Sequence, residues 1–500
     1  MSRKLPIVYS ALLLTGVNLL LRFVATSFQV YLSALIGPAG IGLLQLILSV
    51  SGLALTAGIA GIRTTAMYIT AEELGRGHRD HIPWVLTGCF AYCIATSGTL
   101  GLLLYYLAPW IAQHWISNMA ALSSLRIYSA FLPVICLCGV MTGYFTAANR
   151  IGTLAAVEVC EQICTMTVTV IGLMTLPVRD MEYACRAVIL GNCCGYVLTL
   201  SCLLILYFGH RSKEPRRLPV ARRITSTAVP LALADDLKAG ISSVENLMVP
   251  KRLALFSGIQ DPLAVFGMVT GMVFPVLMFP AAILFSLAEL LIPELARCAA
   301  VDSRPRIRYL IHKNLRITLL YGLFCGCLMH LLADDLCQWL YPGIGVTEYL
   351  LRFSWLVPML YCDLIVDAMT KGLGQQKYCV RYNIVSNALD VILLFILLPR
   401  LGIRGYFISF LVTHLLNFGL SLRRLIKIGE IQLNIHFILM ALLAAALSLF
   451  GASTFTGPVR RISAFCGLFF CISYFFGVMG KTDLLWLKNL LKPQKSLPLS

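Results

Sequence analysis

Charge is what this sequence has least of. Asp, Glu, Lys and Arg together make up 13% of 500 residues, against roughly a quarter in soluble domains. No long polar stretch interrupts the chain, so there is no room for a soluble catalytic or nucleotide-binding domain. No GxxxxGK[ST] loop occurs, which excludes an ATP-driven pump acting alone. The 18 cysteines include no CxxC pair and mostly sit in apolar runs, so they read as small packing residues rather than metal ligands or disulfides. The eight histidines show no HExxH spacing. Neither a metal nor a cofactor is expected.

What is present is hydrophobicity: 59% of residues are apolar and the mean hydropathy is +0.83. The unit to count is the spanning helix of about 20 residues. About fourteen apolar segments with short polar breaks run from residue 5 to 480, which predicts an all-α polytopic membrane protein. The first segment, near 5–31, is too long for a signal-peptide core of about 7–15 residues.

The net charge of +17 need not mean nucleic acid. With a cytoplasmic N-terminus, Lys and Arg concentrate in alternate loops, as the positive-inside rule requires. The richest loop holds Arg211, Lys213, Arg216, Arg217, Arg222 and Arg223. It divides the chain into an expected N-lobe of six helices (1–210), a basic linker (211–223) and a C-lobe of six helices (224–430). Two peripheral helices (431–482) and a tail (483–500) follow. Both termini are expected to be cytoplasmic. Two parallel six-helix lobes suggest a transporter with a central cavity between them.

Ionisable residues within the spans are the candidates for function, because charge facing lipid costs a few kcal/mol or more. The stretch VPLALADDLKAGISSVENLMVP, Val229 to Pro250, carries Asp235, Asp236, Lys238 and Glu245. Asp235, Lys238, Ser242 and Glu245 step by three and four, so they share a helix face. In the first span Thr15, Asn18, Arg22, Thr26 and Gln29 do the same. Each stripe lines either a hydrated cavity or a structural helix contact. Arg63, Glu158, Glu161, Glu289, Asp363 and Asp367 are further intramembrane or helix-end charges.

Four segments in order carry a resemblance. They are YLSALIGPAGIG…AEELGRG (Tyr31–Gly77), ENLMVPKRLALFSG (Glu245–Gly258), FPAAILFSLAELLIPELARC (Phe279–Cys298) and GLGQQKYC…LGIRGY (Gly372–Tyr406). They resemble the stage V sporulation protein B family, within the multidrug/oligosaccharidyl-lipid/polysaccharide exporter superfamily. The resemblance implies two six-helix lobes, alternating access and a polyprenyl-diphosphate-linked saccharide as cargo, of the peptidoglycan-precursor or another cell-wall type. It implies a cell-membrane location and a role in sporulation. Arg22 and Arg63 match in kind the cavity arginines thought to meet the diphosphate. Glu161 matches the acidic position of the fifth helix, although Thr165 and Met166 stand where members commonly place an arginine. The substrate contacts expected are Arg22, Arg63, Lys238, Asn18, Gln29 and Ser242. The coupling or ion-pair candidates are Asp235, Glu245, Glu158 and Glu161, with H⁺ or Na⁺ as the ion. The partners expected are the lipid-linked saccharide and membrane lipid, not nucleic acid. The competing function is a cation-coupled drug antiporter of the same superfamily. An embedded enzyme is disfavoured by the short loops.

Overall fold

The computed structural model describes residues 7–78, 80–175, 180–208, 221–432 and 434–479. Outside the described residues fall positions 211–220 of the expected linker, the expected tail 483–500 and the side chain of Asn18. The described chain is helical from end to end: α1 (Ile7–Ile59), α2 (Ile62–Gly75), α3 (Ile82–Trp110), α4 (Leu122–Ala147), α5 (Ile151–Thr175), α6 (Met181–Phe208) and α7 (Ala221–Leu253), then α8 (Pro262–Phe266), α9 (Phe274–Met278), α10 (Ala281–Ala300), α11 (Arg304–Leu331), α12 (Ala333–Leu340), α13 (Thr347–Phe353), α14 (Val357–Gly372), α15 (Gln376–Leu401), α16 (Ile403–Gly429), α17 (Ile435–Ser453) and α18 (Pro458–Phe475).

Ten helical stretches among the described residues are long and apolar enough to cross a membrane. An eleventh results if Pro262–Met278 and Ala281–Ala300 form one broken span. The expected first and second spans run together in α1. A helix of that length would measure roughly 80 Å, more than twice the ~30 Å hydrocarbon core. Gly37 breaks it with φ 70° and ψ 175°, and Pro38 follows. Only glycine takes that conformation without a steric cost. Helix α7 is continuous, but its charges keep it out of the apolar set.

The helices gather into two compact units. One comprises residues 1–282 and 380–413, the other residues 283–379 and 414–500. In the first, α7 stays with α1–α6 because polar contacts tie it along its length. Arg223 reaches Glu72 and Glu73 at one end. Ser243 Oγ donates to the Ser49 carbonyl at 3.0 Å, and Lys251 donates to the His114 carbonyl at the other end. The stretch Gly267–Val273, between α8 and α9, is a π-helical segment packed on α1.

In the second unit α17 and α18 pack on α11. Leu323, Cys327, Ala441, Ala445, Phe465 and Phe469 form their shared apolar cluster. Their outer faces stay apolar, with Phe450 75% and Phe475 85% exposed, as lipid-facing helices require. These are the helices expected to form the C-terminal pair.

Candidate functional site

The break between α1 and α2 builds the site. Ala60 (φ 42°) and Gly61 (φ 70°) both leave the right-handed region, so the helix stops inside the unit and restarts at Ile62. The carbonyls this frees need partners, since unsatisfied backbone groups are costly away from water. Helix α3 supplies them: Thr96 Oγ1 donates to Gly58 O at 2.9 Å, and Tyr92 Oη to Ala60 O at 3.4 Å. The restart puts Arg63 in the first turn of α2, where the helix dipole adds partial positive charge to the guanidinium. Helix α4 presses close behind it. A Cβ on Gly143 would lie 2.5 Å from the Arg63 carbonyl oxygen.

Arg63 lines a cavity of about 380 Å³ with Glu158, Glu161, Gln162, Tyr196 and Thr199, whose apolar wall includes Leu21 and Leu55. Thr199 Oγ1 donates to Glu161 Oε2 at 2.6 Å, fixing that carboxylate. The contact needs α5 and α6 in close approach, which Gly195 allows. A Cβ there would strike Thr165 Oγ1 and sit 3.2 Å from Glu161 Cγ. The cavity therefore offers one cation and two carboxylates to a guest, with the Arg63 and Glu158 side chains exposed and Glu161 half-buried.

A second polar centre lies in the same unit. Glu245 of α7 lies against Asp390 of α15, carboxyl beside carboxyl. Asp390 is 6% exposed. Its Oδ1 accepts from Ser409 Oγ at 2.6 Å and from Thr413 Oγ1 at 3.2 Å, both on α16. Buried Tyr406 lies beside the pair. This is a cluster of oxygen ligands with no cation of its own.

The other predicted residues are placed as follows. Arg22, Asp235 and Lys238 have exposed side chains, and Ser242 is half-buried. No ion pair between Asp235 and Lys238 occurs among the described residues. Gln29 Nε2 donates to the Gly271 carbonyl at 3.1 Å, so it holds α1 against the π-helical segment. Of the residues in the two predicted stripes, Glu245 is the one placed against the buried Asp390. In the second unit Asn417 Nδ2 donates to both oxygens of Asp363 at 3.1 Å, and His414 Nδ1 lies 3.8 Å from Asp363 Oδ2. Lys371 pairs with Asp367 at 2.6 Å.

Two groupings escaped sequence reasoning. Asp390 was missed although it stands alone in the apolar run SNALDVILLF, which is itself a signal of function. The second is the group around Glu73, of which only Arg223 was singled out, as part of the basic linker. Glu73 is 2% exposed as a side chain and bonded to Arg223 Nη1 at 2.9 Å. The hydrogen bonds to Glu73 and then Glu72 outweigh burial and hold the Arg223 guanidinium above its ordinary pKa.

No family model matches the chain. It is 22% identical over 501 residues to stage V sporulation protein B of Bacillus subtilis, covering 95% of this chain and 96% of that protein. Among solved structures it is similar to the lipid II flippase MurJ in an inward closed conformation. The TM-score is 0.71 at 13% identity, over 95% of this chain and 100% of that one. It is also similar to an inward-facing multidrug resistance MATE family transporter of the MOP superfamily. There the TM-score is 0.68 at 14% identity, over 85% of this chain and 100% of that one. The chain is a multi-pass membrane protein with the fold of the MOP-superfamily transporters, and it is similar to stage V sporulation protein B along nearly its whole length. Both solved neighbours are transport proteins rather than enzymes.

Proposed function

We propose that the protein is a flippase that carries a polyprenyl-diphosphate-linked saccharide from the inner to the outer leaflet by alternating access. In this reading residues 1–210 and 224–430 are the two lobes, residues 431–482 a peripheral pair, and both termini are cytoplasmic. The observation that carries the proposal is Arg63, set in the first turn of α2 and facing a polar cavity. A diphosphate crossing about 30 Å of hydrocarbon needs a hydrated path and cationic donors, and arginine gives bidentate phosphate contacts. Arg22 and Lys238 add cations whose side chains are exposed; on spanning helices such groups face water rather than lipid. The lipid tail stays in the membrane while the head group passes.

Glu245 and Asp390, with two hydroxyls, suit a coupling ion, either H⁺ or Na⁺. Hard cations take oxygen ligands, and two carboxyls in contact are relieved by one proton or one cation. The same pair supports the second reading, a cation-coupled drug antiporter, which the MATE likeness also favours.

Proteoliposomes discriminate the two. Purified protein reconstituted with fluorescent lipid-linked saccharides should move a diphosphate-bearing lipid to the opposite leaflet. It should not move the same lipid with the diphosphate replaced by a neutral linker. Equal movement of both lipids would refute the flippase reading. So would export of cationic drugs with no lipid movement, which would establish the antiporter.

A further inference from the structure

The turn between α2 and α3, EELGRGHRDHIP, gathers one carboxylate and two imidazoles that the transport reading does not use. Helix α2 ends in a Schellman turn. Gly77 adopts φ 79°, His78 N–H donates to Glu73 O at 3.0 Å, and Gly77 N–H to Leu74 O at 3.1 Å. That closure folds His78 back over Glu73. His81 then stands at the N-cap of α3, its N–H on the His78 carbonyl at 3.3 Å. Backbone capping therefore fixes all three residues.

The two oxygens of Glu73 face different company. Oε1 meets cations, Arg223 Nη1 at 2.9 Å and Arg76 Nη1 at 4.0 Å. Oε2 meets imidazoles, His81 Nδ1 at 2.9 Å and His78 Nδ1 at 3.5 Å. One ligand atom from each of Glu73, His78 and His81 lies within 4.8 Å of the other two. Donors around a tetrahedral Zn²⁺ ion sit about 3.3 Å apart, and the two measured separations bracket that spacing. On the far side of His81, Nε2 lies 3.8 Å from Asp80 Oδ2, beyond hydrogen-bond distance but near enough for this carboxylate to close behind a metal-bound imidazole and orient it. His78 is 50% exposed, so solvent reaches the fourth position.

We propose that Glu73 Oε2, His78 Nδ1 and His81 Nδ1 bind a divalent transition-metal ion of the Zn²⁺ class, with Asp80 and Arg223 as outer supports and water as the fourth ligand. Mixed N and O donors favour Zn²⁺ or Co²⁺ over Mg²⁺ or Ca²⁺, which take oxygen. The bound ion ties the α2–α3 turn together at the place where Arg223 clasps α7 to α2.

Tag-free full-length protein in detergent, titrated with Co²⁺ as the probe, should show one saturable ion per chain at micromolar concentrations. It should give a visible absorption band that Zn²⁺ abolishes. The double substitution His78→Ala with His81→Ala should remove the band while helicity and elution volume stay unchanged. His78→Ala alone, at a half-exposed position that folding tolerates, should weaken binding at least tenfold. Asp80→Asn should weaken it about tenfold. Absence of saturable binding to the wild-type protein overturns the site. So does a band of equal strength in the double variant or in His78→Ala, which would place the ion on other histidines or cysteines.

Discussion

The cavity around Arg63 and the carboxyl pair Glu245–Asp390 lie in one helical unit but answer opposite electrostatic demands. The cavity is roomy and mixed in sign, with Arg63 and Glu158 exposed. The pair is compact and of one sign, with Asp390 buried under two hydroxyls. An open, mixed site of about 380 Å³ can meet the diphosphate of an anionic head group and let it go, because water stays to solvate each charge. A compact pair of carboxyls, one buried and one half-buried, has less solvent to spread its charge and favours a small cation or a proton. If the proposed flippase reading holds, cargo and coupling ion need not compete for the same residues, and that separation can be broken at either end.

Removing the cation from the cavity should have the largest effect. Arg63→Ala should reduce flipping of a diphosphate lipid by roughly thirty- to a hundred-and-fifty-fold, since charge-assisted hydrogen bonds to a phosphate are worth about 2–3 kcal/mol. Arg63→Lys should recover part of that rate. The residual transport of Arg63→Ala should depend on Na⁺ or on a pH gradient as the wild type does. Initial rates in proteoliposomes, with and without each gradient, measure both. A variant with full rate would remove the cavity from the cargo path.

Glu245→Gln tests the other side of the comparison. It keeps the shape, removes one charge and offers an amide that can donate to Asp390. Transport driven by an ion gradient should fall about tenfold, the order expected for one lost carboxylate–cation contact. Binding of the lipid-linked saccharide to detergent-solubilised protein should not change. If saccharide affinity fell while ion dependence persisted, the two centres would have to exchange roles.

Much of this arrangement was legible in the sequence one residue at a time. Gly37 and Pro38 in LIGPAGIG announce a break between spans, and the structure bends there. Arg63, Glu158 and Glu161 were singled out because ionisable groups are expensive in a membrane, yet nothing in their spacing joins them. They come from α2 and α5, and the glycines that bring the helices together, Gly143 and Gly195, belong to α4 and α6. Glu245 was read as part of a stripe with Asp235 and Lys238. The carboxyl it meets is that of Asp390, 145 residues away in the chain. Periodicity reports which residues share a face of one helix; it carries no information about which other helix meets that face. The break at Ala60–Gly61 was invisible for a related reason. TAGIAGIRT reads as an ordinary small-residue helix, and its broken backbone persists because Tyr92 and Thr96 of α3 satisfy the carbonyls.

The smallest predicted effect concerns the side chain that steadies the cavity. Thr199→Val preserves volume and removes only the hydroxyl bonded to Glu161. Losing one such bond costs about 1 kcal/mol, or roughly fivefold in a rate or an affinity. Glu161 would then be free to turn toward Arg63 and compete with an anionic guest. Lipid-linked saccharide should bind more weakly, and the weakening should be reversed when Thr199→Val is combined with Glu161→Gln, because the competing charge is gone. Binding titrations on the two single variants and the double variant give the coupling directly. Additive losses would mean that Thr199 serves only the packing of α6 on α5. Rescue by Glu161→Gln would show that its hydroxyl keeps a carboxylate away from the cationic side of the cavity.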